Sequence, residues 1–321
     1  MSKPLVLVFP GQGSQILGMG QDLYKEHKVG KDVFDEVDES LNQKLSKIIF
    51  SGSESQLRLT SNTQPALMAV SLAIIRIIEF ELKKKISDFV EIVLGHSLGE
   101  YSSLCSIGSI TLRDASILLR KRGNAMQNSV KNINTKMSAV LGLEIDQVEE
   151  VLGSIDFKKN DLCEIANDNC PGQIIISGTE GGVNEASIKL KDIGARSIID
   201  LNVSAPFHCS LMNQASIELK DSIESTNFMK LSTKFISNVS ANFEDDPEKI
   251  KELLIKQVFC RVRWRESILK VKNFGINKII EIGAGKVLSG INKRMRLDIS
   301  LENVSNIEEI DKFMENNKEI L

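Results

Sequence analysis

A short apolar run, 90–94, ends in Gly95-His96-Ser97-Leu98-Gly99, and the chain beyond it reads as a helix over 98–106. No other feature constrains the fold as strongly. A G-x-S-x-G sequence between a strand and a helix is the context of a nucleophile elbow. The turn is sharp enough to hold the serine in a strained conformation, and only glycines tolerate the crowding beside it. The serine then stands at a helix N-terminus, where free N–H groups can stabilise an oxyanion. A bare Gly-Ser turn has no need of a buried strand before it and a helix behind it.

The flanking segments fit the same architecture. Leu5–Phe9 is an apolar run stopped by Pro10-Gly11, so it reads as a buried strand. A helix is expected over 64–82, with Pro65 in its first turn. Another is expected over 111–128. Apolar strands alternating with helices imply an α/β fold with a parallel sheet covered on both faces.

The middle of the chain changes character. It reads strand 137–143, helix 146–154, strand 162–166, strand 173–177, helix 182–193 and strand 196–203. That β-α-β-β-α-β order is the signature of a ferredoxin-like unit. Buried strands then return at 234–239 and Lys278–Ile282, with helices over 246–257 and 264–272 between them. The tail from Glu302 reads as a short strand and a polar final helix. The expected division of the 321 residues is therefore a discontinuous large domain, 1–130 and 204–321, and an inserted ferredoxin-like subdomain, 131–203.

Composition removes several function classes. The net charge of -3 offers no basic field for nucleic acid or an acidic membrane. The apolar stretch in MSKPLVLVFPGQG is too short for a signal-peptide core, and 66–80 contains Arg76 and falls short of a membrane span. Five cysteines form no C-x-x-C pair and no Cys/His cluster of zinc spacing. A cytoplasmic protein with reduced thiols, no structural metal and a monomeric state is expected.

A serine nucleophile needs a base, and the chain has three histidines. His27 lies in the charged stretch YKEHKVGKD and reads as solvated. His96 adjoins Ser97, and neighbours in such a turn point apart. His208 remains, in Ser204-Ala205-Pro206-Phe207-His208-Cys209 on a loop after the insert. No acid stands out as a third member. Asp168, Asp192 and Asp200 all lie between Ser97 and His208 without distinguishing context, and a backbone carbonyl could orient the base instead.

Gly11-Gln12-Gly13-Ser14-Gln15 follows the first strand, where its glycines let backbone N–H groups approach a ligand. It is not a dinucleotide fingerprint, because G-x-G-x-x-G fails at Ile16. Arg113, Arg120, Lys121 and Arg122 sit on the helix over 111–128. Most such charges solvate an exposed face. An acyl group with a free carboxylate would, however, call for one arginine as a bidentate partner. Gly283-Ala284-Gly285 after another strand is a weak signal on its own.

Together these segments resemble the malonyl-CoA:acyl carrier protein transacylase family of fatty acid synthesis, nearly end to end. The marks are FPGQGSQ at 9–15, TQPAL at 63–67, GHSLGEYS at 95–102, KRGNAMQ at 121–127, ANDNCPGQIIISG at 166–178, PFHCSLM at 206–212 and EIGAGKVL at 281–288. The resemblance implies an α/β-hydrolase-like large domain with a ferredoxin-like subdomain. It implies Ser97 as nucleophile, His208 as base, and the N–H groups of Gln12 and Leu98 as oxyanion hole. Arg122 would pair with the malonyl carboxylate, and Met126 would line the pocket. Gln257 would accept the His208 N–H through its main-chain carbonyl in place of a triad acid.

The implied reaction is ping-pong transfer of malonyl from malonyl-CoA to the phosphopantetheine thiol of acyl carrier protein, with no metal or redox cofactor. The basic cluster Lys286, Lys293, Arg294 and Arg296 would be the place for the carrier to dock. A serine esterase or thioesterase is the rival on the same elbow, and a non-catalytic carrier-binding protein the rival from another class. The absence of an evident third acid and the ferredoxin-like insert count against the first. An intact Ser97, His208 and Arg122 count against the second.

Overall fold

The computed structural model describes residues 5–321. Among the described residues ten strands form two sheets. In chain order they are β1 Leu5–Phe9, β2 Val90–Gly95, β3 Thr135–Leu141, β4 Cys163–Cys170, β5 Gln173–Thr179, β6 Ser197–Asp200, β7 Lys234–Ile236, β8 Phe243–Glu244, β9 Lys278–Ile282 and β10 Ser300–Val304. The larger sheet has the order β10-β9-β1-β2-β7-β8. Its pairs are parallel except for β7 with β8.

β1 lies inside this sheet, and every one of its residues is buried. Alternate side chains serve opposite faces, as the period of a strand requires. Leu5, Leu7 and Phe9 join the core built on the helix Thr60–Leu82. Val6 and Val8 join a second core with Ile92, Leu94, Trp264 and Ile268. Two wet-free faces explain why β1 and the inner part of β2 are unbroken apolar runs rather than alternating ones.

The second sheet, β4-β5-β3-β6, is antiparallel throughout. With the helices Ile145–Gly153 and Glu180–Asp192 it follows the β-α-β-β-α-β order and packs its own core, which includes Val140, Val148, Ile174 and Val183. Two hydrogen bonds join it to the segment before Trp264: Asp168 N–H to the Val262 carbonyl at 3.0 Å, and Val262 N–H to the Ala166 carbonyl at 2.8 Å. This bridging carries β4 on to Cys170, beyond the expected end at 166.

The helix Thr60–Leu82 begins a turn earlier than expected, so Pro65 stands inside it and not in its first turn. The added turn is anchored by side chains that the sequence pattern did not weigh. Thr63 Oγ1 donates to the Leu57 carbonyl at 2.6 Å, and Asn62 Nδ2 donates to the Gln56 carbonyl at 2.9 Å. As the sixth residue of the helix, Pro65 lies beyond the four N–H groups that have no intrahelical partner, so it removes one hydrogen bond, the one residue 65 would give the Ser61 carbonyl. β6 is shorter than the expected 196–203. After Asp200 the chain turns toward Pro206 and His208, with Val203 N–H bonded to the Leu201 carbonyl at 3.0 Å.

Candidate active site

β2 delivers Ser97 at its C-terminal end, and the chain reverses at once into the helix Gly99–Ser106. Ser97 takes φ 54°, a left-handed conformation uncommon for a residue with a side chain. Two glycines make the reversal sterically possible. A Cβ on Gly95 would fall 1.9 Å from the Gly99 carbonyl carbon, and one on Gly99 would fall 2.2 Å from the Phe9 carbonyl oxygen. Asn238, just past β7, locks the turn. Its Oδ1 accepts Ser97 N–H at 2.7 Å, and its Nδ2 donates to the Gly95 carbonyl at 2.7 Å.

The loop after β6 brings the base to this elbow. His208, itself at φ 60°, places Nε2 2.8 Å from Ser97 Oγ. Its Nδ1 lies 2.8 Å from the Gln257 carbonyl and 3.2 Å from the Cys260 carbonyl. Carbonyls only accept, so Nδ1 carries the proton and Nε2 presents a lone pair to the serine. Burial, the Arg122 charge and His96 push the imidazole down to about 3, while the two carbonyls oppose the shift. The ring is therefore neutral and ready to receive a proton.

Arg122 is 1% exposed. Its Nη1 donates to Gln64 Oε1 at 2.8 Å, and its Nη2 donates to Gln257 Oε1 at 2.9 Å and to Ser97 Oγ at 3.1 Å. The guanidinium lies 5.9 Å from the Tyr101 ring centroid. Among the described residues no carboxylate pairs with it directly, and its Nε has no partner. Glu100 bears on it electrostatically without touching it, so a direct anionic partner is left to come from the pocket beside it.

That pocket is a cavity of about 300 Å³, with Ser97, His208 and Arg122 in its wall. Gln12, Leu98 and Met126 also line it, as does Phe207. The Gly11–Gln12 loop sits close against the elbow: a Cβ on Gly11 would lie 2.8 Å from the His96 carbonyl oxygen. Gly283 and Gly285 back the same region, since Cβ atoms there would lie 2.5 Å from Ser71 Oγ and 3.3 Å from the Ser14 carbonyl oxygen. Met126 is buried, with Sδ 3.8 Å from Gln64 Nε2.

His96 turns away from the serine hydroxyl, with Nε2 3.0 Å from Asn169 Oδ1 and its ring 5.5 Å from that of Trp264. His27 departs from the solvated side chain expected. Its Nδ1 accepts Val29 N–H at 3.2 Å and caps the helix Lys28–Ser40, while Nε2 contacts Glu81 and the ring meets Phe80 edge-on. In the basic cluster, Lys286 pairs with Glu309 at 3.3 Å and Arg294 donates to Gln173 at 2.8 Å.

The three aspartates between nucleophile and base have other partners. Asp168 is buried against Arg265, at 2.9 and 3.1 Å. Asp200 contacts Lys136 at 2.8 Å and Ser138 at 2.8 Å, and Asp192 ends an exposed helical turn. Asp192→Asn and Asp200→Asn are expected to leave kcat within a few-fold of wild type. Asp168→Asn should lower stability by about 1–3 kcal/mol, the scale of a lost hydrogen bond to a charged group, without touching the rate of acyl transfer. A fall of about 10⁴-fold in kcat at any of the three, measured on folded protein, would restore a triad acid.

Three buried polar residues of the site received no role from the sequence. Gln64 stands in TQPAL and holds Arg122. Asn238 holds the elbow. Glu100, three residues after Ser97, is fully buried; its carboxylate accepts the Asn238 N–H and a proton of the Gln257 side-chain amide. Burial pushes this carboxyl up to about 8, against the pull of those donors and of Arg122. A signal for Glu100 existed: it is the one charged residue of the helix Gly99–Ser106.

Known proteins resemble this chain over nearly its whole length. Residues 6–309 match the acyl transferase domain family. The malonyl CoA-acyl carrier protein transacylase of Bacillus subtilis (strain 168) is 42% identical over 319 residues, covering 99% of this chain and 98% of that protein. The acyl-carrier-protein-S-malonyltransferase from Bartonella henselae superposes with a TM-score of 0.93 at 44% identity, covering 97% of this chain and 98% of that one. A malonyl-transacylase solved in complex with its type II PKS acyl-carrier protein gives 0.92 at 34% identity, covering 98% and 99%. The chain belongs to the acyl transferase family and, within it, to the malonyl CoA-acyl carrier protein transacylases.

Proposed function

We propose that this enzyme moves a malonyl group from malonyl-CoA to the phosphopantetheine thiol of acyl carrier protein through a malonyl-Ser97 intermediate. The observation that carries the reading is the buried Arg122 guanidinium 3.1 Å from Ser97 Oγ, which among the described residues makes no direct ion pair. A simple acyl group gives such a cation nothing to bind. A malonyl group brings the missing anion and places it a short distance from its thioester carbonyl.

His208 Nε2 takes the Ser97 proton as Oγ attacks that carbonyl. The N–H groups of Gln12 and Leu98 receive the developing oxyanion. The tetrahedral adduct collapses, the C–S bond breaks, and coenzyme A leaves with the proton from His208. The carrier thiol then enters, gives its proton to His208 and attacks the acyl-serine. Collapse of this second adduct breaks the ester and returns the proton to Ser97 Oγ. The Gln257 carbonyl keeps Nδ1 protonated throughout, the task an acid performs in a triad. Met137 of β3 and Ile175 of β5 are among the residues that line the pocket.

The test is intact-mass analysis after mixing with malonyl-CoA, followed by addition of the carrier. A malonyl adduct that persists without carrier and transfers when carrier arrives is expected. Steady coenzyme A release with no carrier present, and no adduct, would make the protein a hydrolase.

Arg122→Ala should cost malonyl transfer on the order of 2–5 kcal/mol in kcat/KM, the scale for truncating a buried charge pair. Acetyl transfer should survive or improve, because acetyl brings no charge to pair. Measuring kcat/KM for malonyl-CoA and acetyl-CoA on both proteins decides it. An unchanged ratio would move the role to another residue.

A further inference from the structure

Gln257 is the junction of the site, and its side chain has two distinguishable ends. The oxygen faces the guanidinium, accepting from Arg122 Nη2 at 2.9 Å. The nitrogen donates to the Ser97 carbonyl at 2.9 Å and to Glu100 Oε2. The main-chain carbonyl of the same residue accepts from His208 Nδ1. A flipped amide would set its NH₂ against a guanidinium that only donates, and its oxygen against acceptors. The orientation of one amide therefore decides whether Arg122 keeps an acceptor beside Ser97.

Glu100 is built to fix that orientation. It is fully buried, and each of its oxygens is used: one by the Asn238 main-chain N–H, the other by the Gln257 amide. Asn238 in turn holds Ser97 N–H and the Gly95 carbonyl. The charged or titratable side chains whose field it meets are Arg122, from the helix Leu112–Asn128, and Tyr101 beside it on its own helix. Ser237, Asn238 and Gln257 complete its surroundings and carry no charge.

We propose that Glu100 is a positioning residue for acyl-group selection: by pinning the Gln257 amide it holds the Arg122 guanidinium in place beside Ser97 to receive a malonyl carboxylate. Glu100 touches no substrate. It acts through Gln257 on Arg122, and the inference rests on the malonyl-transfer reading above. Loss of its acceptor leaves the amide nitrogen held by the Ser97 carbonyl alone, so the amide is less firmly oriented and Arg122 is held less firmly on the side that faces the nucleophile. The penalty falls on an acyl group that needs Arg122 and spares one that does not.

The experiment is the ratio of kcat/KM for malonyl-CoA to that for acetyl-CoA, in wild type, Glu100→Gln and Glu100→Asp. Gln keeps the volume but replaces one acceptor by a donor. Asp keeps both acceptors on a stem one methylene shorter. Glu100→Gln should lower malonyl kcat/KM by about 10- to 100-fold, mostly through KM, with acetyl kcat/KM changed by less than about 3-fold; the scale is one hydrogen bond to a charged group. Glu100→Asp should retain more of the malonyl preference than Glu100→Gln. A merely structural role would lower both acyl groups together, and that result overturns the proposal, as does an unchanged ratio. If Glu100→Gln fails to fold, the ratio in Glu100→Asp is read alone by the same criterion. A wild type that takes acetyl in preference to malonyl overturns the functional reading and this proposal together; a malonyl-selective wild type whose ratio survives both substitutions overturns only the role of Glu100.

Discussion

Ser97→Ala is expected to take up no malonyl group from malonyl-CoA and to lose transfer activity by on the order of 10⁶-fold, the scale for removing a serine nucleophile. The expectation rests on position as much as on residue type. Oγ is the one atom of the elbow that meets both the lone pair of His208 at 2.8 Å and the Arg122 guanidinium at 3.1 Å. Alanine keeps the Cβ and removes only that atom. The strained φ of 54° is already borne by a residue with a Cβ, so the turn has no new reason to relax. Asn238 still holds the main-chain N–H at residue 97, and the glycines on either side are untouched. The variant should therefore fold with nearly wild-type stability, and thermal unfolding checks that point. Intact-mass measurement on the folded variant then reads the chemistry alone. A malonyl adduct on folded Ser97→Ala would show that another residue carries the acyl group.

How much of this was legible in the sequence depends on which chemical group does the work. The elbow was legible because its demands are local: an apolar strand, two glycines with no room for a Cβ, and a helix at once behind. His208 was legible by elimination, because few side chains can serve as a base and the chain has only three histidines. The β-α-β-β-α-β order of the insert followed from hydrophobic patterning, although strand ends moved, that of β4 where Val262, a partner outside the sheet, bonds to it. The group that orients His208 left no trace in residue type, because a main-chain carbonyl belongs to every amino acid. Gln257 came only from the family resemblance. The pairing of Glu100 with Gln257 joins residues 157 positions apart, and no periodicity reports a contact of that kind. His27 misled for the opposite reason. Its charged neighbours suggested solvent, but the ring caps the very helix those charges begin.

His208→Ala should lower kcat by between about 10² and 10⁶-fold, from the worth of a positioned base to the value seen when serine and histidine act as one unit. The short contact to Ser97 and the carbonyl behind Nδ1 favour the upper part of that range. If the two residues do act as a unit, Ser97→Ala with His208→Ala should be no slower than either alone. The pH dependence follows from the sign of the shift. Burial and the Arg122 charge disfavour the imidazolium and bring its pKa from 6.5 down to about 3. The base form is then retained as pH falls through 6.5, and it is lost only as pH approaches 3. In the malonylation half-reaction kcat/KM, which reports the free enzyme, should stay level from pH 7.5 to about 5.5, with no step belonging to an ordinary histidine. The same shift has a stability consequence of definite direction. Unfolded chains protonate His208 near its ordinary value, so this residue's contribution to folding is complete above about 6.5 and is withdrawn as pH falls below it. His27→Ala provides the contrast. It removes a helix cap and should cost about 0.5–2 kcal/mol of stability while leaving kcat intact. Equal losses of kcat at the two histidines, or a kcat/KM profile that halves near pH 6.5, would remove His208 from the role of a buried, neutral base.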